Sequence, residues 1–139
     1  MNEMMMTSLL IQLADLGVTG IRIYYEGSGD SGCIDEVLCT TAKLPEDEEK
    51  AFDKIRSFNS WEEGAKYLRN LDSGLSSDIE SFAEEKILDS IEDWWNNDGG
   101  YGTLAIMVPS GRYRVQNTIY ITNTEDFFHE GDLVDRSLR

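Results

Sequence analysis

The chain has 139 residues, with 27 acidic residues against 12 Lys and Arg, which gives a formal net charge of -15. A chain of this length can bury roughly two-thirds of its unfolded surface, so we expect a single domain over residues 1–139. Because so acidic a protein repels phosphate backbones and anionic lipids, the charge excludes non-specific binding to nucleic acid or to membranes.

The apolar segments and the cysteines indicate a cytoplasmic protein. The longest apolar run, near residues 9–13, is too short to cross a bilayer, and no basic residue precedes it as in a secretory signal. Cys33 and Cys39 lie six residues apart on one predicted strand, too far for a disulfide between them. With a single His, they also lack a full set of zinc ligands. We therefore predict free thiols, a reducing compartment and no metal or other cofactor.

The N-terminal third predicts a helix followed by a β-hairpin. Apolar residues recur at helical spacing up to Leu16, and Gly17 is a typical helix stop. In the next segment Ile21 and Ile23 alternate with Arg22 and Tyr24, which predicts a strand with one buried face. The Gly-rich residues 26–32 connect this strand to a second one, and a short connection of this kind favours a hairpin.

The middle of the chain predicts three helices. The first has Pro45 in its first turn, followed by four acidic residues that favour the positive end of the helix dipole. The second opens with a Ser60/Glu63 capping box and is expected to bury Trp61. The third opens at Ser77 and continues to the Trp pair at 94–95, where residues 96–100 form a strong stop.

The remaining residues predict a second hairpin around the turn at residues 109–111. Residues 124–139 form either an edge strand or a loose tail. The element order α-β-β-α-α-α-β-β predicts an α+β fold, in which an antiparallel sheet of two β-hairpins carries its helices packed on one face.

The first Gly-rich loop has two interpretations. Ser28, Asp30 and Ser31 suit a turn in which side chains bond to the backbone. The alternative is a hydrolase, since some esterases place Gly-Asp-Ser after the first strand and Asp-x-x-His near the C-terminus. Ser31 would then be the nucleophile, His129 the base and Asp126 its orienting group. Those esterases have parallel sheets, however, whereas adjacent strand pairs favour an antiparallel one, and the acidic residues do not follow calcium-loop spacing.

The second unusual segment joins the third helix to the next strand. Its adjacent Trp residues cannot both face the core, so one is exposed and offers a recognition surface together with Asn97 and Tyr101. We select Trp95 as the exposed one. The preceding helix has one basic residue, Lys86, among eight acidic ones: Asp78, Glu80, Glu84, Glu85, Asp89, Glu92, Asp93 and Asp98. Such a run is either a solvated face or a surface for a basic partner, and Glu85, Asp89 and Glu92 are its candidate contacts.

The two loops together resemble an uncharacterised family of small bacterial and phage proteins. Members of that family pair a Tyr-x-Gly-Ser-Gly-Asp-Ser-Gly segment with a later Trp-x-Asn-x-Gly-x-Tyr-Gly segment, which correspond here to residues 25–32 and 95–102. The resemblance implies no established activity, but it implies that the two segments belong together. In an antiparallel sheet they would lie at the same end and form one site.

We therefore expect a non-enzymatic interaction protein, such as an inhibitor, immunity protein or accessory factor of phage or bacterial origin. It would bind a basic protein partner through the acidic helix and the Trp/Tyr loop, without contacting nucleic acid directly. The alternative is a small hydrolase or ligand-binding domain that uses the first Gly-rich loop.

Overall fold

The computed structural model describes residues 3–28, 31–86, 99–120 and 124–133. Over these residues the chain forms an α+β fold built on one six-stranded antiparallel sheet, which confirms the predicted class. The helices are α1 (Glu3–Asp15), α2 (Glu48–Ser57), α3 (Leu68–Leu71) and α4 (Ser73–Lys86), and the strands are β1 (Gly20–Ser28), β2 (Ser31–Thr40), β3 (Ala65–Tyr67), β4 (Gly100–Met107), β5 (Arg112–Tyr120) and β6 (Thr124–Asp132).

The strand order is β3-β2-β1-β4-β5-β6. Both predicted hairpins are present, as β1–β2 and β4–β5, and they lie side by side because β1 also pairs with β4. Two strands extend the sheet beyond the hairpins. The short β3 pairs with the end of β2, and β6 forms the opposite edge, where the sequence left open a strand or a tail.

One face of the sheet packs against α1, α3 and α4. Ile21, Ile23 and Tyr25 point from β1 into this core, and all three are almost fully buried. The helices contribute Leu9, Leu13, Leu68, Leu75, Ile79, Phe82 and Ala83. The apolar alternation of β1 and β4 therefore marks this face correctly.

The sequence predicted that all helices lie on one face of the sheet. This placement is wrong for α2, which covers the other face. Leu38 and Ala105, which alternate with residues of the first core, pack against Phe52, Ile55 and Phe58. The reason is that β1 is buried on both sides along its first half. Helix α2 therefore forms a second layer.

The charge of Arg22 predicted a solvent-facing position, and this prediction is wrong. Arg22 is only 5% exposed, and its guanidinium lies 4.4 Å from the centre of the Phe58 ring. It donates a hydrogen bond of 3.2 Å to the carbonyl of Ile55. Because carbonyls in the last turn of a helix lack helical partners, this arginine caps α2 and anchors it to the sheet.

The prediction of a second helix in the middle of the chain is largely wrong. Residues 59–64 form turns, and Trp61, expected in the core, is 82% exposed. Gly64 adopts a positive φ of 86°, and a Cβ there would lie 2.7 Å from the Thr41 hydroxyl. The chain must therefore turn at Gly64, after which β3 pairs with β2 and leaves only the four residues of α3 helical. The local capping pattern could not indicate this non-local pairing.

Two other helix starts differ from the prediction. Helix α2 begins at Glu48 with Asp47 as its N-cap, whose carboxylate accepts a 3.0 Å hydrogen bond from the backbone N–H of Lys50. Helix α4 begins at Ser73, before the predicted capping box, and Asp72 accepts from the N–H of Leu75 at 2.9 Å. Its predicted continuation to the Trp pair lies outside the described residues. None of the helices in the described ranges combines the length and hydrophobicity needed to cross a membrane.

Candidate functional site

The two Gly-rich segments meet at one end of the sheet. The end of β1 pairs with the start of β4, so that Glu26 lies opposite Tyr101 and Gly27 lies opposite Gly100. Ser28 and Ser31 continue the β1–β2 hairpin past this point. The described parts of the two segments are therefore adjacent, as the resemblance implied.

Several candidate residues of these segments are not described. The side chains of Ser28 and Ser31 and the whole of Asp30, Trp95 and Asn97 lie outside the described residues. Asp89 and Glu92 of the acidic run lie outside them as well. The binding roles predicted for these residues stay predictions.

Tyr25 and Gly102, one from each segment, have a structural role. The two residues are register partners, and the buried Tyr25 ring lies directly over the glycine. A Cβ on Gly102 would lie 2.3 Å from the tyrosine hydroxyl and 2.2 Å from the carbonyl of Gln116, so a side chain does not fit. The hydroxyl of Tyr25 donates a 2.8 Å hydrogen bond to the Oδ1 atom of Asn117, which is fully buried. These residues hold the two segments together.

Carboxylates from three elements converge beside these segments, at the exposed thiol of Cys33. Glu26 is the register partner of Cys33, whose thiol donates to the Oδ1 atom of Asp35 at 3.7 Å. Partial burial raises the pKa of this thiol, and the charges of Asp35, Glu26 and Glu84 raise it further. Glu84 comes from the last turns of α4, so carboxylates from three separate elements act on this thiol. We call Glu26, Asp35 and Glu84 the acidic end.

The acidic end is not neutralised within the described part of the chain, where none of its three carboxylates forms an ion pair. Acidic residues beside α2 are neutralised, in contrast. Two arginines of β5 bind carboxylates of α2 and β6, in the pairs Arg112–Glu48, Arg112–Asp132, Arg114–Glu49 and Arg114–Glu130. The hydrogen bonds from Arg114 lower the pKa of Glu49. The four acidic residues that follow Pro45 thus include three that serve the fold, because Asp47 is the N-cap of α2 and Glu48 and Glu49 bind arginines.

The sheet face that carries α2 is only partly covered by it. Glu48 in the first turn of α2 binds Arg112 of β5, whereas Ile55 in its last turn meets Arg22 of β1. Helix α2 therefore runs across the strands, over the row formed by Leu38, Arg22, Ala105, Arg114 and Glu130.

Two further rows of side chains on this face lie beyond α2, and we call them the open rows. The first contains Glu36, Tyr24, Thr103, Gln116 and Phe128, and the second contains Cys33, Glu26, Tyr101, Thr118 and Asp126. Thr118 in the second row is buried, but three aromatic side chains stand exposed, with exposures of 36% for Tyr24, 44% for Tyr101 and 69% for Phe128. Isolated exposed apolar residues are ordinary, but three on one sheet face mark a candidate binding surface.

A groove of about 440 Å³ separates α2 from the open rows at the β5–β6 side. Its wall on the helix side includes Glu49 and Arg56, and its floor and far side include Gln116, Phe128 and Glu130. The groove thus continues the surface formed by the exposed aromatic side chains.

Two of the predicted binding residues are described. Tyr101 belongs to the open rows, whereas Glu85 is exposed on α4, which packs on the opposite face of the sheet. Sequence reasoning did not select Tyr24 or Phe128. Tyr24 carried a usable signal, because it lies between the core residues Ile23 and Tyr25 and the middle residue of such a triplet in a strand points to the other face.

The predicted esterase triad is not assembled. Strands β2 and β6 are separated by three others, so Ser31 and His129 lie at least about 19 Å apart across the sheet. Asp126 accepts a hydrogen bond from Thr118 on the α2 face. His129 is three residues further along the strand, so its side chain leaves the strand on the opposite face. Ser31, Asp126 and His129 therefore do not form the triad that the esterase resemblance implied, and the wider hydrolase alternative stays a prediction.

The two thiols and the carboxylates form no metal centre in the described residues. No group of three or more His, Cys, Asp or Glu side chains there has an arrangement suited to a metal ion. Both cysteines are free, with Cys33 exposed and Cys39 buried. Burial raises the pKa of Cys39 to about 11, so this thiol stays protonated at neutral pH.

Comparison with curated proteins and with solved structures gives no match. A family model described as a family of unknown function matches residues 1–131 of the chain. This match agrees with the resemblance to an uncharacterised family that the two segments indicated. The chain belongs to the family of unknown function DUF6878.

Proposed function

We propose that this protein binds a basic protein partner, and that the acidic end and the neighbouring exposed aromatic side chains form the contact surface. One observation carries the proposal, namely the convergence of Glu26, Asp35 and Glu84 from three elements without an ion pair to any described residue. Each of these carboxylates raises the pKa of one thiol, that of Cys33, so all three lie within electrostatic range of it. Such an arrangement is explained better by a cationic partner than by folding.

The partner's class follows from the charge and the aromatic side chains. A net charge of -15 repels nucleic acid and anionic lipid, so a positively charged protein is the favoured partner. Exposed tyrosine side chains beside the acidic end supply the contact area that is typical of protein interfaces. Charge complementarity would speed association and select against acidic competitors.

This binding would suit an inhibitor, an immunity protein or an accessory factor that acts by occupying its partner's surface. A protein of this kind needs no catalytic group of its own. We place its action in the cytoplasm of a bacterial or phage-infected cell, in agreement with the free thiols and the sequence resemblance.

The test is capture from a bacterial lysate at low salt by three immobilised proteins. These are the native chain, the Glu26→Gln/Asp35→Asn/Glu84→Gln variant, and a control variant with the same charge change, Asp15→Asn/Glu46→Gln/Glu63→Gln. The control residues are exposed, and they lie near the opposite ends of β1 and β2.

We expect the native chain and the control to retain the same basic protein, and the acidic-end variant to lose it. Raising the salt concentration should release the captured protein from the first two. Equal capture by all three proteins, or the absence of any basic protein from the native sample, would show that the proposal is wrong.

A further inference from the structure

The open rows have the dimensions of one α-helix lying beside α2. Successive rows on one face of a strand are about 6.8 Å apart, so two rows match a helix about 10 Å wide. Across the sheet, β2 and β6 lie about 19 Å apart, which corresponds to roughly 13 helical residues. Helix α2 already demonstrates that this face accepts a helix that crosses the strands.

The chemistry of the open rows defines the side chains that such a helix would carry. Tyr24, Tyr101 and Phe128 provide apolar contacts along the rows. Glu26, Glu36 and Asp126 stand among them, and the ten residues of the two rows include neither Lys nor Arg. A helix with an apolar stripe and basic flanks is complementary to this pattern.

Helix α2 already binds this face of the sheet in the way expected of such a helix. Its Ala51, Phe52 and Ile55 point into the sheet, while charged residues at its margin pair with Arg112 and Arg114. In the open rows the charges are reversed, because here the sheet supplies the carboxylates. The occupant must therefore supply the cations.

From these observations we infer that the open rows bind a basic amphipathic helix of the partner, which lies beside α2 with its apolar stripe on Tyr24, Tyr101 and Phe128. The inference rests on the proposed function and identifies the part of the partner that makes the contact. A second copy of the chain does not fit, since two molecules with a charge of -15 repel each other. The rows cover only about 250 Å², far less than a stable interface, so we expect weak and salt-dependent binding by the helix itself.

The experiment uses two fluorescently labelled Leu/Lys peptides of 14 residues with the same composition. In one peptide the leucines recur at helical spacing, and in the other their order is scrambled so that no apolar stripe forms. Fluorescence anisotropy measures binding to the full chain, and circular dichroism reports the helix formed on binding. The variants are Tyr101→Ser/Phe128→Ser, the acidic-end triple variant, and Trp61→Ser as a control at an exposed aromatic residue outside the open rows.

We expect the amphipathic peptide to bind at least about tenfold more tightly than the scrambled one and to become helical. The Tyr101→Ser/Phe128→Ser variant should lose about tenfold in affinity for it, whereas Trp61→Ser should bind like the native chain.

Two results would overturn the inference and leave the proposed function intact. In the first, both peptides bind equally and depend on the acidic end but not on the aromatic side chains. In the second, neither peptide binds, although the lysate experiment recovers a basic protein through the acidic end. If neither peptide binds and no basic protein is recovered, the inference and the proposed function both fail.

Discussion

At the scale of single residues, the Gly-rich segments combine buried packing residues with exposed ones. Tyr25, Gly102 and Asn117 are buried and interlocked, so their identities are explained by packing. Glu26 and Tyr101, which neighbour Tyr25 and Gly102 along the same strands, are exposed. Strand alternation separates the two parts, because successive side chains leave on opposite faces.

The close packing of Tyr25 and the Gln116 carbonyl on Gly102 predicts that Gly102→Ala is severely destabilising. Its methyl group would have to displace a backbone carbonyl and the Tyr25 ring, so we expect a loss of about 3 kcal/mol or more in the free energy of unfolding. Urea denaturation of the variant and the native chain measures this loss.

Gly74→Ala is the matched control, because Gly74 lies near the start of α4, where the nearest atom to a new Cβ is 3.5 Å away. This variant should be as stable as the native chain or more so, by up to about 1 kcal/mol. A Gly102→Ala variant as stable as the control would contradict the close packing of Tyr25 on Gly102.

At the scale of elements, the predictions succeed where the pattern is local. The alternation in β1 and β4 and the helical spacing in α1 indicate the buried face of each element directly, since each face contacts one continuous core. The predictions fail at residues 60–67, where pairing with β2 overrides a local capping pattern. They also fail for the placement of α2, because nothing in its own sequence indicates which face of the sheet it covers.

The contacts between α2 and β5 predict a pH dependence. Arg114 lowers the pKa of Glu49 in the folded protein, so the carboxylate loses protons more readily there than in the unfolded chain. Its contribution to stability is therefore complete above the unfolded pKa of about 4.3 and is lost as the pH falls through the lower, folded pKa.

We expect Glu49→Gln to be less stable than the native chain at pH 7 and to approach it in stability at acidic pH. Thermal denaturation across that range measures the effect, and Glu46→Gln, which removes an exposed acidic residue without a described ion pair, is the control. A constant difference between Glu49→Gln and the native chain at all pH values would argue against the ion pair with Arg114.

At the scale of the whole molecule, the negative charge is distributed unequally. Acidic residues of α2 and β6 are bound by the arginines of β5, and this part of the surface is locally balanced. At the other end of the strands, Glu26, Asp35 and Glu84 all raise the pKa of the Cys33 thiol. In the described ranges, these three carboxylates without an ion pair therefore lie at the end of the strands that also carries the exposed Tyr24 and Tyr101 side chains.

The reactivity of the Cys33 thiol is a direct probe of these carboxylates. Because burial and the three carboxylates raise its pKa, we expect it to react with a disulfide reagent at pH 8 more slowly than an unperturbed exposed thiol. Replacing Glu84 by Gln should speed the reaction, although this residue lies about 50 positions away in sequence.

A Cys39→Ser background keeps the measurement specific to Cys33, and Asp78→Asn, which removes an exposed acidic residue from the first turns of the same helix, is the matched control. If Glu84→Gln and the control leave the rate equally unchanged, α4 does not contribute to the acidic end.

The α+β class, both hairpins, the core-facing side of β1, the free thiols and the acidity of the molecule follow from the amino-acid sequence alone. These properties depend on composition and on periodicities that extend over a few residues. Only the tertiary structure decided that α2 covers the second face, that Ser31 and His129 lie far apart, and which carboxylates are neutralised. Such properties depend on distances between residues remote in sequence, since Coulomb interactions and packing act through space. The composition gives the net charge of -15, whereas the strand pairing and the packing of α4 determine which carboxylates act on the same thiol.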